Sequence, residues 1–186
     1  MLSIARYDRA VPSRVLRTKR LTLVPVQIDI VEAVLSDRLD ECERLLGAKM
    51  PQPWPGRALI ERAFSASLEG IRADPGARLW GDRIAITVGD EPRVIGSVVF
   101  HGKPTPEGMV EVGYGIEMNS QGLGLATEAV LAQVEWAFTI EGVRLVRATT
   151  PPWHKASVRV LEKCGFRNVG SEDHENLGEV LVFERT

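Results

Sequence analysis

The sequence predicts an α/β (α+β) domain with a mixed, mostly antiparallel central sheet of about seven strands and helices on both faces. Three observations predict it. A short β-branched segment begins near residue 20, further ones recur from residue 83 onward, and segments with helical spacing of apolar residues lie between them. Because strands follow one another in mid-chain while helices separate the others, one mixed sheet covered on both sides is favoured.

Seven segments are predicted as strands. The first, RLTLVPV at 20–26, alternates and is rich in β-branched residues. The segments 83–88, 94–100 and 109–118 are separated by the turn-forming runs GDEP and HGKPTPEG, which predict two successive hairpins and an antiparallel meander. The remaining strands are predicted at 143–149, 166–170 and 179–184.

Five segments are predicted as helices. Gly47 is a typical stop for the second of them, and the run MPQPWPG at 50–56 holds three prolines, which exclude a regular element there. The longest carries Val130, Val134 and Ala137 on its apolar face. The predicted helices span 27–37, 39–47, 57–72, 123–140 and 154–164.

The 186 residues have the composition of a globular protein. Hydrophobic residues make up 44% of the chain and charged residues 26%, which excludes disordered and fibrous classes. No window approaches the roughly 18 consecutive apolar residues of a membrane helix, and residues 1–20 lack the apolar core of a secretory signal. We therefore expect a cytoplasmic protein with no membrane partner.

The net charge of −2 conceals an uneven distribution. Residues 1–20 carry six basic side chains against one acidic one, whereas the rest of the chain carries 17 basic and 24 acidic ones. An acidic body disfavours nucleic acid as a ligand, because phosphate contacts need clustered Lys and Arg, and it attracts cationic partners. We expect a basic N-terminal arm at 1–17 and a single domain at 18–186. The sequence does not decide between a monomer and a homodimer.

The sequence lacks the residues that several classes of catalytic site require. Cys42 and Cys164 are too few for a disulfide framework or a zinc site, and the three histidines are far apart with no metal-binding spacing. The sequence G-x-S-x-G of nucleophile-elbow hydrolases does not occur. The sequence therefore predicts neither a bound metal nor that type of serine hydrolase.

The most informative segment is 109–129, MVEVGYGIEMNSQGLGLATEA. A predicted strand runs through the glycine-rich residues 121–126 into a helix. Glycines let the backbone approach a ligand closely, and a helix start offers unpaired N–H groups at its positive end, which together suit a pyrophosphate. The segment fits Q/R-x-x-G-x-G/A, whereas it lacks the GK[ST] of a Walker A loop. A structural turn before a helix explains these six residues equally well.

A second informative segment is 143–166, VRLVRATTPPWHKASVRVLEKCGF. A strand and a proline-rich break precede a short helix on which Ser157, Val160, Leu161 and Cys164 share one face. The serine therefore faces inward, where it serves catalysis or bonds back to a main-chain carbonyl.

The chain resembles the GNAT superfamily of N-acetyltransferases, in the branch of the ribosomal-protein-alanine N-acetyltransferases (RimJ/RimL-like). The resemblance covers about residues 18–184 and rests on four motifs in the family's order. They are Thr18-x-Arg20-Leu21-x-Leu23, Glu111-Val112-Gly113-Tyr114, residues 121–126 with Thr127-Glu128-Ala129, and Ser157 followed by Leu161-Glu162-Lys163-Cys164-Gly165-Phe166.

This resemblance implies the GNAT fold, in which the fourth and fifth predicted strands part at their C-terminal ends. It also implies acetyl-CoA as the donor and an amine as the acceptor. Main-chain groups of Ile116 and Met118 are expected to pair with the pantetheine arm as a further strand would. The other residues expected to bind the cofactor are Gln121, Gly122, Leu123, Gly124, Leu125, Ala126, Thr127, His154, Lys155 and Ser157.

The reaction implied by the resemblance is direct acyl transfer to a neutral amine, without an acyl-enzyme. Ser157 matches the family's serine near the sulfur of CoA, where its hydroxyl would help to protonate the departing thiolate. Many relatives have a tyrosine four residues further on, whereas this chain has Leu161. We therefore expect Ser157, and no phenol, to serve the thiolate.

The general base is open between two carboxylates. Glu111, acting through a water, is the first candidate and Glu117 the second, because Gly113 and Gly115 leave open space on their face of the strand. Exposed strand carboxylates explain both equally well. His154, where relatives have an asparagine, and His174 are further candidates for a group that accepts a proton.

The acceptor is not indicated by any motif. Trp54, Trp80 and Trp153 are candidates for lining an acceptor cleft, although core packing is the commoner fate of tryptophan. Two other classes of function stay open. One is a CoA-binding regulatory or sensor module without turnover, and the other is a ribosome- or RNA-associated protein that uses the basic arm.

Overall fold

The computed structural model describes residues 14–51 and 68–186. Its strands are β1 (Leu16–Arg17), β2 (Leu21–Pro25), β3 (Arg83–Thr87), β4 (Val94–Phe100), β5 (Met109–Ile116), β6 (Leu145–Thr150), β7 (Arg167–His174) and β8 (Gly178–Arg185). Its helices are α1 (Ile28–Leu35), α2 (Leu39–Leu46), α3 (Leu68–Ala73), α4 (Pro75–Arg78), α5 (Leu125–Phe138) and α6 (Lys155–Lys163), with a 3₁₀ turn at Met118–Ser120.

All described strands form one open sheet in the order β1-β2-β3-β4-β5-β6-β8-β7. Every neighbouring pair is antiparallel except β5 and β6, which run parallel. The predicted meander is present, because β3, β4 and β5 are consecutive both in the chain and in the sheet. The prediction of a mixed, mostly antiparallel sheet is therefore confirmed.

Two hydrophobic clusters cover the opposite faces of this sheet. On β3, Ala85 belongs to the cluster that includes α5 and α6, whereas Ile84 and Ile86 belong to the cluster that includes α1, α2 and α3. Successive side chains of a strand point to opposite faces. The clusters therefore lie on the two sides of the sheet, and helices cover both faces as predicted.

The two strands that run parallel separate partway along their length. They are paired only as far as Glu111 and Arg147. Beyond that pair, β5 continues to Ile116 and remains joined to β4, while β6 continues to Thr150 and remains joined to β8. Each strand therefore presents its other edge to a gap. This is the predicted splay between the fourth and fifth predicted strands.

A buried arginine ties the meander to α5. The Arg83 side chain donates to the carbonyl of Gly81 at 2.9 Å and to Oε1 of Gln133 at 2.8 Å, and its guanidinium lies 3.9 Å from the ring centroid of Trp136. Burial lowers the pKa of Arg83 to about 10. It remains charged at neutral pH, and these acceptors compensate for its removal from water.

Some elements differ from the predictions. β1 lies inside the predicted basic arm and pairs with β2, while residues 1–13 are outside the described structure. β7 is longer than predicted and is exposed along its whole length. Of the predicted helix at 57–72, only the end is described, as α3. Within 14–51 and 68–186, no helix is both long and apolar enough to span a membrane.

Candidate active site

The glycine-rich segment forms a tight loop between the end of β5 and the start of α5. Gly122 and Gly124 adopt left-handed conformations with φ of 75° and 77°, which explains why glycine occupies both positions. A side-chain carbon at Gly122 would meet no atom within 4 Å, so the loop is open at this point. Gly124 is the N-cap of α5 and no side chain caps the helix, which leaves the first-turn N–H groups available.

The residues between β5 and this loop are held by their own side chains. The Gln121 amide donates to the carbonyl of Ile116 at 2.9 Å. The Glu117 carboxylate accepts from the Asn119 N–H at 2.8 Å and from the Ser120 hydroxyl, so it caps the 3₁₀ turn. Met118 is 83% exposed. Glu117, the second candidate base, is therefore already engaged within its own turn.

Arg20 of the first motif, which directly precedes β2, braces the glycine-rich loop. Its guanidinium donates to Oε2 of Glu128 at 2.6 Å and to the Leu123 carbonyl at 2.9 Å. The main-chain N–H of Arg20 donates to Oε1 of Glu128 at 2.8 Å. The Thr18 hydroxyl donates to the same Oε1 at 2.7 Å. Burial raises the pKa of Glu128, but the hydrogen bonds from Thr18 and Arg20 outweigh it and hold that pKa below its usual range.

Replacing Arg20 with methionine should weaken CoA binding about tenfold and lower the free energy of unfolding by about 1 kcal/mol. The substitution keeps most of the aliphatic stem but leaves Glu128 and the Leu123 carbonyl without their donor, so that the loop loses its brace. Isothermal titration calorimetry with CoA and urea denaturation measure the two effects.

The control is Arg72→Met, which removes a 2.8 Å ion pair with Glu32 between α3 and α1. It should cost similar or less stability and leave CoA affinity unchanged. Equal affinities in the two variants would show that Arg20 does not organise the loop.

Ser157 lies at the first turn of α6, beside the gap between β5 and β6. It is buried, as are Leu161 and Cys164 on the same face of the helix, which confirms the predicted inward face. Its Oγ is 2.8 Å from the hydroxyl of Tyr114 on β5, and that hydroxyl also lies 3.2 Å from the Ser157 carbonyl oxygen. A phenol therefore contacts the serine, and the prediction that none is available is wrong.

The environment keeps this phenol neutral. Burial raises the pKa of Tyr114 to about 12, although the hydrogen bond with Ser157 acts in the opposite direction. At neutral pH the Tyr114 hydroxyl therefore keeps its proton and is able to donate a hydrogen bond. When it donates to Oγ of Ser157, the serine's own hydrogen is free to point elsewhere.

Glu111 lies where β5 and β6 begin to separate. The hydroxyl of Thr149 on β6 donates to its Oε1 at 3.0 Å, and Nδ1 of His101 lies 3.8 Å from its Oε2. The interaction with His101 is the main cause of a lowered Glu111 pKa; burial opposes it, and Thr149 and Arg147 lower it further. Glu111 is therefore a well-partnered carboxylate rather than a free exposed one.

Two further predicted site residues lie at the exposed start of α6. His154 is the N-cap of α6 without a side-chain cap bond, and it and Lys155 are exposed. Trp153, which is 73% exposed, lies against His154 with ring centroids 5.8 Å apart. Of the two alternatives for Trp80, core packing is the one observed, because its ring is buried against Phe100 and Trp136. Trp54 lies outside the described residues.

Sequence reasoning missed the contacts of Arg20, His101 and Tyr114. Strand alternation placed Tyr114 on the same face as Val112, but only the position of α6 brings it to Ser157. The position of His101 follows from the β4–β5 register, because it is the residue after β4 and lies directly opposite Glu111. Among the residues that the structure describes, no group of three or more His, Cys, Asp or Glu is placed to hold a metal ion.

Comparison with known proteins agrees with this geometry. The sequence model of the acetyltransferase (GNAT) domain matches residues 20–167. The uncharacterized N-acetyltransferase YjdG of Bacillus subtilis is 27% identical over 153 residues, which are 81% of this chain and 88% of that protein. The uncharacterized N-acetyltransferase p20 of Bacillus licheniformis is 28% identical over 114 residues, 61% of this chain and 59% of that protein.

Solved structures share the fold at lower identity. RimJ of Mycobacterium smegmatis, in complex with CoA-disulfide, superposes with a TM-score of 0.65 at 19% identity over 95% of this chain and 88% of that one. RimL, a ribosomal-protein α-N-acetyltransferase in complex with coenzyme A, has a TM-score of 0.63 at 14% identity, covering 92% and 97%. The fold neighbours thus include members of the predicted branch. Because the domain model spans most of the chain, the protein belongs to the GNAT acetyltransferase family and is an acetyltransferase.

Proposed function

We propose that this acetyltransferase moves the acetyl group of acetyl-CoA directly to a primary amine, within a ternary complex. The observation that carries the proposal is the gap between β5 and β6 beyond Glu111 and Arg147, which ends at the glycine-rich loop. The free edge of β5 is suited to pairing with an extended chain, and the loop with the start of α5 is suited to a pyrophosphate. Pantetheine joined to a pyrophosphate has both features.

In this proposal, the main chain of Ile116 and Met118 pairs with pantetheine, and the loop holds the pyrophosphate. The remaining cofactor contacts come from the start of α6. RimL and RimJ, which share the fold, were solved with CoA or its disulfide, and this supports acetyl-CoA as the donor. The residues assigned to the cofactor are Ile116, Met118, Gln121, Gly122, Leu123, Gly124, Leu125, Ala126, Thr127, His154, Lys155 and Ser157.

The chemical step needs a neutral amine, a polarised carbonyl and a protonated thiolate. We assign protonation of the thiolate to the hydroxyl of Ser157, whose Oγ is held by a 2.8 Å hydrogen bond with the Tyr114 hydroxyl. A main-chain N–H in 116–118 serves the carbonyl oxygen. Glu111 acts on the amine side, where its contacts with Thr149 and His101 support a fixed carboxylate. Glu117, which caps its own turn, is the weaker alternative.

The acceptor is a cationic amine at neutral pH, either a protein N-terminus or a small molecule. The acidic excess in residues 21–186 supports this, because a net negative charge attracts cationic partners to the protein. The enzyme must then remove a proton from the ammonium group before the nitrogen can attack the acetyl group.

The experiment is a thiol-release assay with acetyl-CoA and four acceptors: a peptide with a free N-terminal alanine, spermidine, kanamycin and a free amino acid. We expect thiol release with at least one, and a product heavier by one acetyl group. Initial rates at varied concentrations should give intersecting double-reciprocal lines, and intact mass should show no acetyl-enzyme without acceptor. CoA binding without thiol release from any acceptor would favour the sensor module instead.

A further inference from the structure

A histidine lies directly opposite Glu111 on the neighbouring strand. The His101 N–H donates to the main-chain carbonyl of Glu111 at 2.9 Å, which extends the β4–β5 register by one pair. Side chains of opposed residues lie on the same face of a sheet. His101 and Glu111 therefore share the face that also carries Gly113 and Gly115.

The carboxylate of Glu111 is placed to hold the imidazole. Thr149 occupies its Oε1, so Oε2 is left for Nδ1 of His101, 3.8 Å away. Such contacts commonly tighten when substrate binds. With its pKa lowered mainly by His101, the carboxylate takes up a proton poorly at neutral pH but stabilises a proton on the ring.

The other ring nitrogen of His101 lies over Gly113 on β5. A side-chain carbon at Gly113 would lie 3.2 Å from Nε2 of His101, and one at Gly115 would meet nothing within 4 Å. The His101 side chain is 42% exposed. Because Gly113 and Gly115 have no side chains, these two positions of β5 place no side chain between Nε2 and the gap in which the acetyl group is proposed to bind.

We propose that Nε2 of His101 takes the proton from the acceptor amine, with Glu111 orienting the imidazole through Nδ1. The inference rests on the proposed function and makes it more specific, because a histidine, rather than a carboxylate acting through water, becomes the base. A carboxylate that fixes the far nitrogen of a histidine base is a known catalytic arrangement.

The protons balance as follows. The ammonium group gives one proton to Nε2 before attack; the C–N bond then forms and the C–S bond breaks. The nitrogen loses its second proton, the thiolate takes one up from the Ser157 side, and one proton is released to solvent per turnover. Charged groups near His101 are Glu111 on β5 and Arg147 beside it on β6. Asp82, which precedes β3, accepts from the Phe100 N–H at the end of β4, and Lys103 follows His101 in the chain.

The test compares wild type, His101→Gln and His101→Ala across pH, on whichever acceptor the wild type acetylates fastest. Wild-type kcat/KM should fall at acid pH, because protonation of the base removes the lone pair that accepts the amine proton. His101→Gln should lower kcat about 100-fold at pH 7 and lose that acid limb. Added imidazole should restore part of the activity of His101→Ala, while CoA affinity stays unchanged in both variants.

Glu111→Gln should lower kcat but retain an acid limb, because the histidine is still present. Glu91→Gln, which alters an exposed carboxylate in the turn between β3 and β4, is the matched control and should leave the profile unchanged. If wild type is active but His101→Gln keeps its rate and acid limb, this inference fails and the proposed function stands. If wild type acetylates no acceptor, both fail.

Discussion

Replacing Gly96 with alanine should destabilise the protein by about 3 kcal/mol and remove most acetyl-CoA binding. A side-chain carbon there would lie 1.9 Å from the Gly115 carbonyl oxygen and 3.0 Å from the Ile116 Cα. Both are main-chain atoms of β5, so no side-chain rotation relieves the clash. Gly96 also has a φ of 152°, which L-residues rarely adopt.

The clash falls where it matters for function. Gly96 is opposite Ile116 in the β4–β5 register, at the end of β5 and beside a bulge in the β3–β4 pairing. Relief requires β4 and β5 to separate just where β5 is proposed to pair with pantetheine. Urea denaturation and calorimetry with CoA measure the two losses.

Gly89→Ala is the matched control. Gly89 has a similar φ of 150°, but a side-chain carbon there would meet nothing within 4 Å. It should therefore cost about 1 kcal/mol from backbone strain alone and leave CoA affinity intact. Equal unfolding midpoints for the two variants would show that the close approach of β5 to Gly96 does not add to the cost of a side chain at this position.

The fold was predictable from the sequence because its signals are local. The turn-forming runs GDEP and HGKPTPEG separate the three meander strands, and the C-cap Gly47 ends α2 with a φ of 62°. The glycine-rich loop was equally visible, since Gly122 and Gly124 need a backbone conformation that few other residues adopt. Such signals depend on a few neighbouring residues, so they can be recognised in the sequence without knowledge of the tertiary structure.

The contacts that complete the site were not predictable, because they join distant parts of the chain. Arg20 and Glu128 are brought together by the packing of α5 against β2, and Tyr114 meets Ser157 through the placement of α6. Position 161 is leucine, so the sequence predicted no phenol there, whereas the fold brings the phenol of Tyr114 from β5 to Ser157. Sequence spacing identified which residue types were present but not which of them meet.

Replacing Ser157 with alanine should lower kcat about 100-fold while the KM for acetyl-CoA changes little. The Ser157 Oγ is proposed to act only on the departing thiolate, so its loss raises the barrier without weakening binding of the donor. Steady-state kinetics at pH 7 measure both constants. Ser36→Ala, at the exposed C-cap of α1, is the matched loss of a hydroxyl and should leave both unchanged.

Tyr114→Phe should lower kcat about tenfold and cost about 1 kcal/mol of stability, because the buried Oγ of Ser157 loses its 2.8 Å partner. If Tyr114 acts by orienting Ser157, adding Tyr114→Phe to Ser157→Ala should have no further effect on kcat. Because burial raises the pKa of Tyr114 to about 12, its effect should also be constant from pH 7 to 10. Additive losses in the double variant would mean that the phenol acts on the reaction independently of the serine.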